Sequence, residues 1–171
     1  MPLNFSTETP KELIFESIAE YLQKLELKVA AQDNTRPWGG FFVLDEVEAR
    51  KFISLYFPDL TPEELTIAGK LSPKILIVAP NKRLSWQYHH RRAEIWKLIG
   101  GVAGVITSDT DEEKETTHLN IGDIIQLKQG ERHRLIGLDG WGIVAEIWRH
   151  TDVENASDEN DIVRLQDDFG R

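Results

Sequence analysis

Gln87 and His89 lie two residues apart in a run, Leu84 to His89, that alternates strictly. Leu84, Trp86 and Tyr88 fall on one side of a strand, and Ser85, Gln87 and His89 on the other. Glu94 follows five residues later at the start of a second apolar run, so a tight turn can bring it back beside them. His133 comes about forty residues on, just after the turn residue Gly130. In a closed or sandwiched sheet these positions can converge on one interior point. Together they offer two imidazole nitrogens, one carboxylate and one amide oxygen. That mix suits zinc, manganese, iron, cobalt or nickel better than calcium or magnesium, which prefer all-oxygen cages. His90, one step out of phase, is expected to face outward. His118 and His150 have no partners at ligand spacing and are read as ordinary surface residues.

The remaining sequence has to position these groups. From Lys74 onward it breaks into short apolar runs: Ile75–Val78, Leu84–His89, Glu94–Ile99, Val102–Ser108, Asp123–Leu127, Arg132–Ile136 and Gly142–Trp148. Glycine-bearing turns separate them, with Gly100-Gly101 expected to end one strand. This pattern points to an antiparallel sandwich or barrel. No βαβ order appears, and no glycine cluster has dinucleotide or P-loop spacing. Before Lys74 the signals are helical. Thr9, Pro10 and Glu12 form a capping box ahead of Leu13, Ile14, Ile18, Tyr21, Leu22 and Leu25. Asp45 and Glu48 open a second helix running to about Tyr56, and Thr61 to Glu64 a short third. These helices are expected to pack outside the main body.

The balance of 20 basic against 29 acidic residues gives a net charge of −9. With no extended basic surface, nucleic acid is not an expected partner. The local basic group Lys82-Arg83 and Arg91-Arg92 suits a small anion instead. There is no cysteine, which removes disulfides, thiolate catalysis and cysteine-bound metals. The longest apolar run, Lys74 to Pro80, is far too short to span a bilayer. The N-terminus lacks a basic region followed by an apolar stretch, so a cytoplasmic protein is expected.

Four stretches carry a resemblance. Leu84-Ser85-Trp86-Gln87-Tyr88-His89-His90-Arg91-Arg92-Ala93-Glu94-Ile95-Trp96 resembles the first cupin motif of type II mannose-6-phosphate isomerases. That cupin usually forms the C-terminal domain of bifunctional mannose-1-phosphate guanylyltransferases. Gly122-Asp123 through Gly130-Glu131-Arg132-His133-Arg134-Leu135 resembles the second motif. Arg36-Pro37-Trp38-Gly39 and Glu159 through Arg171 resemble the family's opening and closing signatures. The resemblance covers roughly residues 35 to 171. It implies an all-β cupin, an RmlC-like jelly-roll barrel, over residues 35–171, with residues 1–34 as an N-terminal helical extension.

It also implies metal ligands at Gln87, His89, Glu94 and His133, holding one divalent transition metal, zinc first and manganese, cobalt, nickel or iron next. The implied activity is interconversion of mannose 6-phosphate and fructose 6-phosphate. The family's substrate arginine falls on Arg92 and its strand glutamate on Glu146. A guanidinium at Arg92 suits a phosphate, and a carboxylate at Glu146 suits proton transfer. Arg36 and Arg164 are further substrate-binding candidates. A homodimer is expected from the resemblance and from the apolar face of the first helix. The sequence departs from the family pattern at Arg91, Ile95, Lys128, Gln129 and Trp148, and a helical insertion precedes the first motif. A non-catalytic, metal-containing sugar-binding cupin is the alternative reading. An iron dioxygenase is disfavoured because Gln87 stands in a histidine position.

Overall fold

The computed structural model describes residues 3–65 and 70–171. Its helices are α1 (Lys11–Lys24), α2 (Ala49–Tyr56) and α3 (Pro62–Leu65). Its strands are β1 (Val29–Asp33), β2 (Gly39–Leu44), β3 (Lys74–Val78), β4 (Trp86–Tyr88), β5 (Arg92–Ser108), β6 (Thr117–Leu119), β7 (Ile124–Leu127), β8 (Arg132–His150) and β9 (Val163–Gln166). Every strand pairing is antiparallel. The path runs β1-β2-β3-β8-β4-β9, and β5 joins β8 to β6 and β7. This is the all-β jelly-roll architecture of the cupins. It wraps around a pocket, and no ladder among the described residues joins the two ends of the path.

Two long strands organise the molecule. β5 and β8 pair along almost their whole lengths, from Arg92↔His150 to Ser108↔Arg132. The sequence reading divided each of them in two, because glycine pairs look like turns. Gly100-Gly101 is instead a bulge inside β5, with register shifts on either side. Gly101 has φ +67°, and a Cβ there would lie 1.8 Å from the Trp141 carbonyl oxygen, so the close crossing requires glycine.

The sheet is covered on both faces, which explains the unbroken apolar run of β3. Ile75 and Ile77 point to one core with Ile143, Ala145 and Ile147, and the helices close over it. Leu76 and Val78 point to the other core with Trp96, Leu98, Leu135 and Val144. α1 contributes Ile14, Phe15, Ile18 and Leu22 to the first core, and Phe15 stacks on Phe42 at 5.3 Å. Burial of such side chains stabilises by about 1.5–3 kcal/mol each. The apolar face of α1, one ground for expecting a homodimer, is therefore covered within the chain. α2 adds Phe52, Ile53 and Tyr56 to the same core.

The start of α1 differs from the expected capping box. Pro10 is the N-cap, with an extended backbone and no side-chain cap, and the Pro10 carbonyl accepts from Leu13 and Ile14. Thr9 stands one residue too early to cap. Asp45 does cap, accepting from the Val47 N–H at 3.1 Å, but it opens a 3₁₀ turn, Glu46–Glu48, that leads into α2.

Candidate metal centre and pocket

The inward face of β4 supplies the first groups. Gln87 lies directly across from His133 of β8, and directly opposed residues of antiparallel strands share a face. After His89 the chain turns at His90-Arg91 and enters β5. Asp161 holds this turn: its Oδ1 accepts from the His90 N–H at 2.9 Å and its Oδ2 from the Arg91 N–H at 3.0 Å. The turn returns Glu94 to the histidines, as the five-residue spacing requires. His90 is exposed, as expected. Gln87, His89, Glu94 and His133 are all buried.

The proton inventory of this cluster is distinctive. His89 Nδ1 lies 2.7 Å from the Asp161 carbonyl oxygen, and His133 Nδ1 lies 2.9 Å from the Glu131 carbonyl oxygen. A carbonyl only accepts, so both Nδ1 atoms carry the proton, and in the neutral ring each Nε2 is a lone pair. Those lone pairs face Glu94: His89 Nε2 is 3.2 Å from Oε1, and His133 Nε2 is 3.4 Å from Oε2. Glu94 Oε2 and His133 Nε2 are buried without a hydrogen-bond partner. Three acceptors therefore converge with no proton between them, an arrangement that a cation resolves. The donor atoms of His89, Glu94 and His133 lie within 4.8 Å of one another and could hold a metal ion.

The electrostatics agree. Burial pushes the His89 pKa down, which keeps the ring neutral. Burial opposes the charge of Glu94, but its neighbours His89 and the Arg92 guanidinium outweigh it and hold the carboxyl well below its usual range. Neutral imidazoles and an ionised carboxylate are the states that metal ligation needs. Gln87 stands beside this group. Its Oε1 accepts from Ser85 Oγ at 2.5 Å and its Nε2 faces His89 Nε2 at 3.4 Å. Exchanging the two ends of the amide would direct the oxygen to the cluster.

Gln87 and Glu94 of this group line a cavity of about 420 Å³, and the two histidines stand behind them. Glu146 forms part of its wall and is 4% exposed. Both its oxygens accept from indoles, Oε2 from Trp96 Nε1 at 2.7 Å and Oε1 from Trp148 Nε1 at 2.8 Å. Burial first, and then the neighbouring Glu94, raise its pKa to about 7, against the opposing pull of Lys74 and Arg92. Lys74, across from Glu146 on β3, packs its ammonium 4.2 Å from the Trp148 ring and 4.9 Å from Phe41, and pairs with Glu159.

Arg92 also lines the cavity, but its donors are engaged within the protein. Nε donates to Glu94 Oε1 at 2.8 Å, and Nη1 to Ser157 Oγ at 2.9 Å and the Asp158 carbonyl at 3.0 Å. Nη2 approaches the bare His89 Nε2 at 3.3 Å, and the guanidinium stacks 3.6 Å over Trp148. Arg36 and Arg164 line the same cavity. Of the basic group Lys82, Arg83, Arg91 and Arg92, only Arg92 does so; Arg83 pairs with Asp168 at 2.7 Å.

Residues 48–167 match the family described as Mannose-6-phosphate isomerase C-terminal. The chain belongs to that family. Among its curated relatives is the alginate biosynthesis protein AlgA of Pseudomonas aeruginosa, 31% identical over 129 residues, which are 72% of this chain and 24% of AlgA. The xanthan biosynthesis protein XanB of Xanthomonas campestris pv. campestris is 28% identical over 72% of this chain and 25% of XanB. The chain thus spans about a quarter of the length of these relatives. Solved structures share the fold. The capsular polysaccharide assembling protein CapF of Staphylococcus aureus superposes with a TM-score of 0.54 at 13% identity, over 80% of this chain and 34% of that one. An oxalate oxidase in complex with glycolate does so with 0.52 at 16% identity, over 79% and 59%.

Membership in the mannose-6-phosphate isomerase C-terminal family sets the other sequence expectations in context. His118 is exposed, but His150 is buried, contrary to expectation. Its Nδ1 accepts from the Ser157 N–H at 3.0 Å and its Nε2 meets Ser72 Oγ at 3.2 Å, so it pins the C-terminal segment to the barrel. Trp148, a departure from the family pattern, couples Arg92, Lys74 and Glu146. Lys74 and Arg171 line the pocket and were not singled out from the sequence. Lys74 has the inward parity of Leu76 and Val78, and that parity was the available signal. No helix among the described residues is long and apolar enough to cross a membrane.

Proposed function

We propose that this chain is a metal-dependent aldose–ketose isomerase acting on a sugar phosphate, with mannose 6-phosphate and fructose 6-phosphate as its pair. One observation carries the reading. Glu94, grouped with the Nε2 atoms of His89 and His133, lines the same cavity as a second carboxylate, Glu146, whose pKa is raised to about 7. His89, Glu94 and His133, with Gln87 as a fourth, would hold one divalent transition metal. Zinc heads the order, because two neutral imidazoles and one carboxylate suit it; manganese, cobalt, nickel and iron follow.

A bound cation would supply Lewis-acid polarisation of the sugar's carbonyl and adjacent hydroxyl oxygens. The protein does the rest. Glu146 takes the proton from one carbon and returns it to its neighbour while the hydroxyl proton passes from one substrate oxygen to the other, and a pKa near the working pH suits both halves of the carbon transfer. The Trp96 and Trp148 indoles aim its two oxygens. Arg92 fixes the orientation of Glu94, and Lys74 supplies positive charge opposite Glu146.

The double indole clamp also favours a second reading, a sugar-phosphate-binding cupin without turnover, in which Glu146 is purely structural. Incubation of metal-replete protein with mannose 6-phosphate in deuterium oxide separates the two. Isomerisation predicts solvent deuterium on carbon in the recovered sugar phosphate, and Glu146→Gln should lower kcat by roughly 10²–10⁴-fold. Binding without any deuterium uptake would leave the non-catalytic reading.

A further inference from the structure

The cavity mouth carries charge that the proposed chemistry does not use. Arg164 of β9 lies directly across from Gln87, so its side chain leaves the sheet on the pocket side, one strand away from the metal cluster. It lines the cavity, yet its guanidinium makes no hydrogen bond or ion pair with any described residue. Two further arginines line the same cavity. Arg36 is bound to Asp33 only through Nε, at 2.9 Å, which leaves both Nη groups free. Arg171 is bound to Asp167 through Nε and Nη2, at 2.8 and 3.0 Å, which leaves Nη1 free. The three are close enough to repel. Arg164 is exposed at the surface, and partial burial, then the charges of Arg171 and Arg36, push its pKa down against the pull of Asp167 and Glu159. Mutually repelling guanidinium groups with unused donors at a pocket mouth are arranged for an anion with several oxygens. Arg92 is less free for that role, with Nε and Nη1 engaged on Glu94, Ser157 and Asp158 and Nη2 turned to His89.

We propose that Arg36, Arg164 and Arg171 form a phosphate subsite at the mouth, which takes the terminal phosphate of the sugar while its carbonyl end reaches Glu94 and Glu146. This assignment rests on the isomerase reading for the identity of the ligand, but the subsite itself binds phosphate without turnover. It orients the substrate. A sugar phosphorylated at the end remote from its carbonyl is accepted, and one phosphorylated at the carbonyl end is not.

Calorimetric titration of metal-replete protein at low ionic strength tests it, with mannose 6-phosphate, mannose and inorganic phosphate as probes. The wild type should bind mannose 6-phosphate at least tenfold more tightly than mannose. Arg164→Gln and Arg171→Gln should each lose tenfold or more for mannose 6-phosphate and for inorganic phosphate, with mannose unchanged. Arg164→Lys, which keeps the charge but not the two-pronged donor, should fall between. In turnover these changes should raise KM and leave kcat near its wild-type value, because the phosphate contact is the same in ground and transition states. A wild-type preference for mannose 6-phosphate that survives both glutamine variants within twofold overturns the subsite and leaves the isomerase reading standing. Loss of phosphate binding in the variants, in a protein that exchanges no deuterium, supports the subsite and overturns the isomerase reading. Equal wild-type affinity for mannose and mannose 6-phosphate overturns both.

Discussion

Glu146 offers a sharp test of the site's electrostatics that does not depend on activity. In the folded, metal-free chain its pKa stands at about 7, against an ordinary value of 4.5. At about 1.4 kcal/mol per unit, this difference of about 2.5 units amounts to roughly 3 kcal/mol. For a carboxyl raised on folding, the associated stability is fully present below pH 4.5, where both folded and unfolded chains are protonated. It is lost as pH rises to about 7, because the unfolded chain ionises freely and the folded one resists. Glu146→Gln removes this titration. It also leaves one indole N–H facing an amide N–H, a constant penalty of about 1–3 kcal/mol. The informative quantity is therefore the change with pH. Between pH 4.5 and 7 the variant should gain about 3 kcal/mol on the wild type, from clearly less stable to comparable or better. Urea unfolding of chelator-treated wild type and variant at half-unit pH steps measures this directly, and groups that do not interact with residue 146 cancel. A stability difference that stays flat across this range would refute the raised pKa, and with it the case for Glu146 as a proton carrier near neutrality. Part of the rise comes from the charge of Glu94. Loading zinc, which balances that charge, should shift the window to lower pH.

Other consequences can be checked one by one. Purified wild-type protein should carry about one transition metal per chain, and a His89→Ala, His133→Ala double variant should carry almost none by elemental analysis; unchanged content would remove the metal assignment. Asp161→Ala should destabilise the fold by about 2–3 kcal/mol in urea unfolding, because its carboxylate accepts from His90, Arg91 and Ser157. The same change should weaken zinc affinity by tenfold or more in a competition titration, because the turn that orients His89 loosens. Gly101→Ala should cost about 2–3 kcal/mol, since it combines a left-handed φ with a Cβ 1.8 Å from the Trp141 carbonyl; a neutral result would mean that the β5–β8 crossing is looser than described.

The convergence of His89, Glu94 and His133 was legible because strand periodicity is a strong rule. Once Leu84–His89 alternates, Gln87 and His89 must share a face, and Glu94 must follow a turn to stand near them. His133 needed the further assumption that its strand pairs with β4, and the Gln87↔His133 register supplies it. Features that depend on tertiary crossing were not legible. A glycine pair reads the same at a turn and at a bulge, so the continuity of β5 and β8 was hidden. His150 looked superficial because nothing local shows that the segment around Ser157 folds back over it. Arg92 shows a different limit. Its residue type fits phosphate, yet type cannot reveal that Glu94, Ser157 and Trp148 already surround it. A buried arginine beside a buried carboxylate serves that carboxylate first, and the arginines that line the pocket with donors to spare are Arg36, Arg164 and Arg171. In this chain those sit on β9 and in the segments after β1 and β9. The closing residues of the sequence thus do two jobs: Asp161 holds the turn that shapes the metal cluster, and Arg164 and Arg171 dress the mouth that leads to it.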